Sequence, residues 1–264
     1  MSGLLLRLAG PLQSWGERSA FTAVRDTAPF PTRSALIGMF AAAEGIGRGD
    51  SLDRYQDLRL TVRVDRPGVR LVDYHTVGGG FPKDRTAATS GGSNKGAAVI
   101  TRRHYLSDAV FVVAVTATDE IVERLADALS RPHWAPYLGR RSCVPDEPFL
   151  LRRHVDDPEE ELRTRVPLSR TPPANNGDRQ QTGTGTITVE FLLEHPPPAS
   201  SPGEPVPADV IDVNDVPVSF AQHGRSHTGR RLHRTRLSVP GSLAGPPHTL
   251  MQRLIDYAHL EESA

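Results

Sequence analysis

Lysine is nearly missing from this chain: Lys83 and Lys95 are the only two among 31 basic Lys and Arg residues. Guanidinium groups therefore carry almost all of the positive charge. They suit bidentate phosphate contacts and stacking on bases, and a GC-rich genome produces the same bias. Cysteine is scarcer still. A lone Cys143 excludes an internal disulfide and any multi-cysteine zinc site. Net charge is absent as well, since 31 acidic residues cancel 31 basic ones. Bulk charge thus announces no nucleic acid, and distribution has to be read instead. No apolar run approaches the roughly twenty residues of a membrane span. The amino terminus lacks a basic segment followed by a cleavable apolar one. These absences predict a soluble, cytoplasmic protein with no membrane partner. Also missing are GxxxxGK[ST], a GxGxxG after a strand, HExxH and GxSxG.

What is present begins with residues 10–46, GPLQSWGERSAFTAVRDTAPFPTRSALIGMFAAAEGI. The apolar run Leu4-Leu5-Leu6-Arg7-Leu8 before it reads as a buried strand. Residues 35–43 are nearly all apolar, mostly good helix formers without a polar face, so this helix is expected to be buried all round. Thr32 or Ser34 can cap it by satisfying an orphan backbone N–H. The connection between strand and helix is about twenty residues, several times the usual length. It carries Gln13, Trp15, Arg18, Phe21, Arg25, Phe30 and Arg33. Aromatics interleaved with arginine suit stacking on unpaired bases and pairing with phosphates. The plainer reading is a local mini-core of Trp15 and the two phenylalanines.

Further on, residues 59–65 alternate as a strand with one buried face does. Arg66-Pro67-Gly68 is a turn signal, and residues 69–75 are expected to return as the second arm of a hairpin. Residues 109–115 fit a central strand, and 118–131 a helix with Ile121, Val122, Leu125 and Leu129 on one face and Pro132 at its end. A βαββαβ order is the ferredoxin-like plan shared by RNA-recognition modules. The last strand lies at 149–153 or at 186–193. The expected class is therefore α+β: a ferredoxin-like, RRM-like domain over 1–155 with a protruding flexible hairpin arm at 77–104. A smaller β-rich carboxy-terminal lobe over 156–264 follows, with Pro-rich loops at 163–185 and 196–208.

The arm sequence, VGGGFPKDRTAATSGGSNKGAAVIT, holds both lysines, with Arg102-Arg103-His104-Tyr105 at its base. A mildly basic arm can order against a partner and lay charge along a phosphate backbone. In Tyr137-Leu138-Gly139-Arg140-Arg141-Ser142, a glycine lets backbone approach an anion while flanking side chains bind it. Arg225, Arg230, Arg231, Arg234 and Arg236 form the densest basic segment. His223, His227 and His233 lie among them without a carboxylate or cysteine, so no metal and no cofactor are expected.

GPLQSWG followed by FPTRSALIGMFAAAEGI, then RHYLSDAVFVVAV and PYLGRRSCVPDEPF, resembles the I-E branch of the Cas-five family of CRISPR-associated Cascade subunits. The likeness is strong over roughly residues 3–155 and weak beyond. It implies a non-catalytic subunit that holds the 5′ handle of the CRISPR guide RNA and caps the backbone filament. Its arm would contact guide RNA and the neighbouring backbone subunit, and its surface would help dock the large PAM-recognising subunit, so that target DNA is met indirectly. By motif position Gln13, Ser14 and Trp15 would touch handle bases, with Tyr137 as a stacking face. Arg25, Arg33 and Ser34 would hold phosphates, Arg102, Arg103, Arg140 and Arg141 the RNA backbone, and Lys83 and Lys95 would act from the arm.

The rival is an enzyme. Metal-independent RNA cleavage needs a base, an acid and a cation, and His75 with Tyr74, or His104 with Tyr105 and Arg103, offers such groups. The I-C branch cleaves CRISPR repeat RNA with Tyr, Lys and His residues. Its Lys-His dipeptide is absent here, and the I-E branch leaves cleavage to a separate subunit.

Overall fold

The computed structural model describes residues 2–16, 22–78, 80–86, 98–170, 185–197, 208–221 and 224–259. In chain order its strands and helices are β1 Ser2–Ala9, β2 Leu12–Gln13, β3 Val24–Arg25, α1 Arg33–Ala43, β4 Arg59–Arg66, β5 Val69–Val77, β6 Val99–Ser107 and β7 Val110–Ala117. There follow α2 Asp119–Ser130, β8 Leu150–Val155, α3 Pro158–Thr164, β9 Thr186–Leu193, β10 Ala208–Ser219, β11 Ser226–Pro240 and α4 Leu250–Ala258. Among the described residues no helix is long and apolar enough to cross a membrane.

Seven strands form one sheet in the order β10-β11-β9-β4-β7-β1-β8. Its centre is the most apolar sequence, because both faces are covered. β1 and β7 are buried along their whole length. Leu4, Leu6, Leu8, Phe111, Val113 and Val115 pack with α1 and α2 on one side, and Leu5, Val112 and Ala114 with α3 and α4 on the other. Strands buried on both faces read as continuous apolar runs rather than alternating ones. Between the capping alternatives at α1 the structure selects Thr32, whose hydroxyl accepts from the Ala35 N–H at 3.3 Å. Helix α2 buries Val122, Leu125 and Leu129 of the expected face together with Ala126, while Ile121 is half-buried.

Both candidates for the last strand are strands. β8 pairs with β1 at one edge, whereas β9 pairs with β4 on the opposite flank. Through β9 the carboxy-terminal strands extend this same sheet: β9 joins β11, which joins β10. The strands expected in a smaller lobe therefore share a hydrogen-bonded ladder with the amino-terminal half.

The hairpin expected between 59–65 and 69–75 does not form. Gly68 turns the chain with φ +74°, as the sequence signal implies. Strand β4, however, pairs with β7 and β9, and β5 leaves for a second sheet, where it pairs with β6 from Val69↔Ser107 to Val77↔Val99. Burial explains the separation. β4 offers a run of buried residues that needs a strand on each side, whereas Val69, Leu71, Val72 and Tyr74 of β5 are exposed. The other edge of β6 takes β2 at Leu106 and Ser107 and β3 at Arg102 and Arg103.

Candidate nucleic-acid interface

Two sequence-distant segments are brought onto β6. The first is the long connection after β1. Gln13 is fully buried; its amide donates to the carbonyls of Leu8 (3.0 Å) and Ala109 (2.9 Å), and its oxygen accepts from the Trp15 indole at 3.1 Å. Trp15, also fully buried, is held by a bridge to Ala28 and by its N–H on the Thr27 hydroxyl at 2.8 Å. The Ser14 hydroxyl donates to the His104 carbonyl at 3.0 Å. Gln13, Ser14 and Trp15 were expected to touch bases. The structure corrects this: their polar groups are engaged and no ring face is open, so they plug the base of the loop. With that plug in place β3 runs parallel to β6, opposing Arg25 to Arg103.

The second segment is the turn at 137–143. Its Leu138 is fully buried, and the Leu138 carbonyl accepts from the Ser14 N–H at 3.0 Å. Gly139 has φ +84°, and a Cβ there would lie 1.7 Å from the Ser14 carbonyl oxygen. Only glycine permits this approach. The docking lays Arg140 across Tyr105 of β6, its guanidinium carbon 4.4 Å from the ring centroid, within cation–π range. The Arg140 Nη2 donates to the Arg25 carbonyl at 3.2 Å, while its Nη1 is sealed and finds no partner. Burial raises the neighbouring Cys143 thiol above its usual range, against the opposing influence of Ser142 and Arg140.

Arg25, Arg103 and Arg140 thus gather on the Tyr105 side of β6, with Arg141 exposed and Tyr137 36% exposed in the same turn, while Arg102, also exposed, projects from the opposite face with His104. Arg103 donates to the Thr101 hydroxyl at 3.3 Å. Among the described residues none of Arg102, Arg103, Arg140 and Arg141 is ion-paired to a carboxylate, although Asp73 stands opposite Arg103 in the β5/β6 register. Such a cluster can accept phosphates without first breaking internal pairs.

Other expected contributors lie elsewhere. Arg33 is buried, with Nη1 on Glu194 at 2.8 and 2.9 Å and on the Leu58 carbonyl, and Nη2 on the carbonyls of Tyr55 and Gln56. It is a structural tie, not a phosphate ligand, because all of its reach is spent inside the fold. Ser34 follows it at the start of α1, its hydroxyl 3.3 Å from that of Thr32. Lys83 belongs to a short turn between β5 and β6 whose lysine side chain lies outside the described residues, as does all of Lys95.

Two arginines of the dense basic segment, Arg230 and Arg234, are ion-paired. Arg230 binds Asp215 (2.6 Å) and Glu194 (2.7 Å), and Asp215 also accepts the Arg33 backbone N–H at 2.7 Å, placing an anion at the start of α1. Burial opposes the Arg230 charge, yet the hydrogen bond and field of Asp215 and the field of Glu194 raise its pKa. Arg234 pairs with Glu190 at 2.7 Å, and Asp209 and Asp212 stand opposite Arg234 and Arg231 in the β10/β11 register.

Strand alternation separates the pairs weighed for cleavage. Tyr74 and His75 are successive strand residues and point to opposite faces, as do His104 and Tyr105. Tyr105 is buried under Arg140, and His75 has its Nδ1 3.5 Å from Asp73. His104 shares a face with Arg102 and Tyr74, but Tyr74 is 63% exposed and no cleft encloses that trio.

With this geometry in view, a family model described as CRISPR-associated protein (Cas_Cas5) matches residues 3–233. The chain belongs to this Cas-five family. It is 37% identical over 182 residues to the CRISPR system Cascade subunit CasD of Escherichia coli (strain K12), covering 63% of this chain and 78% of that one. It is similar to a chain of a solved CRISPR RNA-guided surveillance complex at TM-score 0.83 and 46% identity, covering 97% of this chain and 99% of the other. A further solved structure, a Cas protein, is similar at TM-score 0.59 and 29% identity over 93% of this chain and 99% of that one. In this Cas-five protein Trp15 and Leu138 are both fully buried, anchoring the two segments that dock on β6.

Proposed function

We propose that this Cas-five protein is a non-catalytic subunit of a cytoplasmic Cascade-type surveillance complex, holding the 5′ handle of the guide RNA at the β3/β6/137–143 surface. The observation that carries the reading is that Arg103 of β6 and Arg140 and Arg141 of the 137–143 turn, from two distant segments, meet on the Tyr105 side of β6 without ion-paired carboxylates among the described residues, with Arg102 adding charge on the other face. Its likeness to CasD and to a surveillance-complex chain supports the assignment. Strands β1, β4, β7 and β8 with α1 and α2, in the sheet order β8-β1-β7-β4, supply a ferredoxin-like, RRM-like scaffold over residues 1–155. The β5/β6 hairpin is the base of an arm that meets guide RNA and the adjoining backbone subunit, with Lys83 and Lys95 acting from it. The subunit caps the backbone filament and supports docking of the large PAM-recognising subunit, so that guide pairing reads the target.

The test is to incubate the purified chain with labelled CRISPR repeat RNA in EDTA, alone and with its complex partners, scoring retention and cutting. Retention without cutting is expected. Cutting that is lost on changing His75 or His104 would replace the reading with a metal-independent endoribonuclease of the I-C kind. Assembly with RNA protection unchanged by arm deletion would reduce the arm to a scaffold.

A further inference from the structure

The two tryptophans of this chain, Trp15 and Trp134, occupy opposite environments. Trp15 is sealed, whereas Trp134 is 50% exposed. Trp134 sits where the chain leaves α2 and docks on the end of α1: the His133 N–H donates to the Ala43 carbonyl at 2.9 Å, and the Trp134 N–H to the Ala42 carbonyl at 3.2 Å. The His133 ring meets the indole edge-on, with centroids 4.5 Å apart, and its other side packs at 3.1 Å from where a Gly45 Cβ would lie. The backbone is thus pinned while much of the indole stays open to solvent. Three residues on comes Tyr137, which chain geometry keeps within about 11 Å, and then the turn that presents Arg140 and Arg141.

The whole stretch 131–145, RPHWAPYLGRRSCVP, contains three arginines and no carboxylate. Asp146 and Glu147 follow the stretch directly, and the carboxylates of the helices it leaves and docks on, Asp127 of α2 and Glu44 after α1, are already engaged. Glu44 is held by Arg124 at 2.7 Å, by Arg54 at 3.8 Å and by the Tyr55 hydroxyl, and Asp127 is held by Arg153. A protein partner would find charge of one sign here without apolar breadth. An exposed ring pair beside unpaired guanidinium groups is instead the pattern that binds single-stranded nucleic acid, with rings taking bases and arginines taking phosphates.

We infer that Trp134 is a base-stacking residue, extending the RNA path from Arg140 and Arg141 past Tyr137 towards the carboxyl end of α1. The ligand is an unpaired nucleotide of single-stranded RNA. The role first sought at Trp15 moves to the ring that the fold leaves accessible. This rests on the proposed RNA-holding function and adds a residue to it.

Tryptophan emission tests it directly in the full chain. Acrylamide should quench only part of the emission, from Trp134. A saturating single-stranded repeat RNA should quench that same fraction and protect it from acrylamide. Trp134→Ala should lower RNA affinity roughly 5- to 150-fold, as expected for one lost base–aromatic stack, and Trp134→Phe should restore most of it. The buried emission of Trp15 in both variants reports that the fold is intact. RNA retention at wild-type affinity by Trp134→Ala, with no RNA-dependent quenching in the parent, would overturn the stacking role and leave the RNA-holding function standing. Failure of the parent chain to retain RNA, alone and with its partners, would remove both.

Discussion

Arginine is concentrated in two regions of this protein, and the two have opposite electrostatic surroundings. Along residues 225–236 two of the five guanidinium groups meet carboxylates: Arg230 meets Asp215 and Glu194, and Arg234 meets Glu190, while Arg225, Arg231 and Arg236 stay exposed. Around β6 and the 137–143 turn, Arg102, Arg103, Arg140 and Arg141 have no ion-paired carboxylate among the described residues. The denser cluster in sequence therefore has its most buried member, Arg230, already committed inside the fold. Charge density along a chain measures neither field nor function. What counts is the desolvation and pairing of each group, since a buried pair is costly to break and an unpaired surface guanidinium is free to meet phosphate.

Breaking the buried network should have the largest effect. Asp215→Ala leaves Arg230 uncompensated and removes the anion at the start of α1, and should cost about 3–5 kcal/mol of stability, read as a lower denaturant midpoint. RNA affinity per folded molecule should not change. A large affinity loss in the folded fraction would show that the two regions are not independent. Gly139→Ala comes next. Left-handed strain alone is worth on the order of 1–3 kcal/mol, and the collision with the Ser14 carbonyl forces the turn away from β6. Both stability and RNA retention should fall, because this change strikes the point where fold and cluster meet.

Arg140→Ala with Arg141→Ala should weaken handle binding and flatten the salt dependence by roughly 0.7 per lost phosphate contact. An unchanged salt slope would exclude these two residues from the RNA path. Proton linkage separates binding from stability. Burial first, then Glu44, raises the Tyr55 phenol, and burial first, then Glu161, raises Tyr257. The native state therefore holds these protons more tightly than the unfolded chain. Their contribution is complete below about pH 10 and is lost as pH rises through and above it. Cys143, also raised by burial, adds a loss of the same sign from about pH 8.5. Denaturant midpoints should decline over that range, and Tyr55→Phe should lessen the decline. RNA retention should stay flat from about pH 6 to 8, where guanidinium groups do not titrate. The smallest effect belongs to Arg234→Ala, whose pair with Glu190 is half exposed. It should cost no more than about 1 kcal/mol and leave the salt slope unaltered.

Much of the fold was legible before the tertiary structure. Helix α1, its Thr32 cap, the apolar strand β7 and the amphipathic α2 announce themselves through local signals, because composition, spacing and capping chemistry act within a few residues. Helix α3 went unread although Asp157, Pro158 and three glutamates mark its start. At 7 residues it is too short to show a period. The strand pairing after Gly68 was misread because a turn signal fixes a reversal and not the neighbour; β4 was claimed by β7 and β9. In the candidate site, the 102–103 and 140–141 arginine pairs were singled out by motif. Arg33 and Trp15 were misassigned for one reason: aromatic and guanidinium groups suit cores as well as ligands. Trp134 carried a signal that was passed over, the absence of carboxylates on either side of it.

By itself the amino-acid sequence determined the local elements, the family signature, and a positive charge supplied almost wholly by guanidinium. Only the tertiary structure decided which of those guanidinium groups remain open to a partner. The Arg33 guanidinium is closed by Glu194, 161 residues away, and Trp15 by contacts that exist only once β2 has docked on β6. Availability is a property of neighbours in space, and for long side chains those neighbours come from anywhere along the chain.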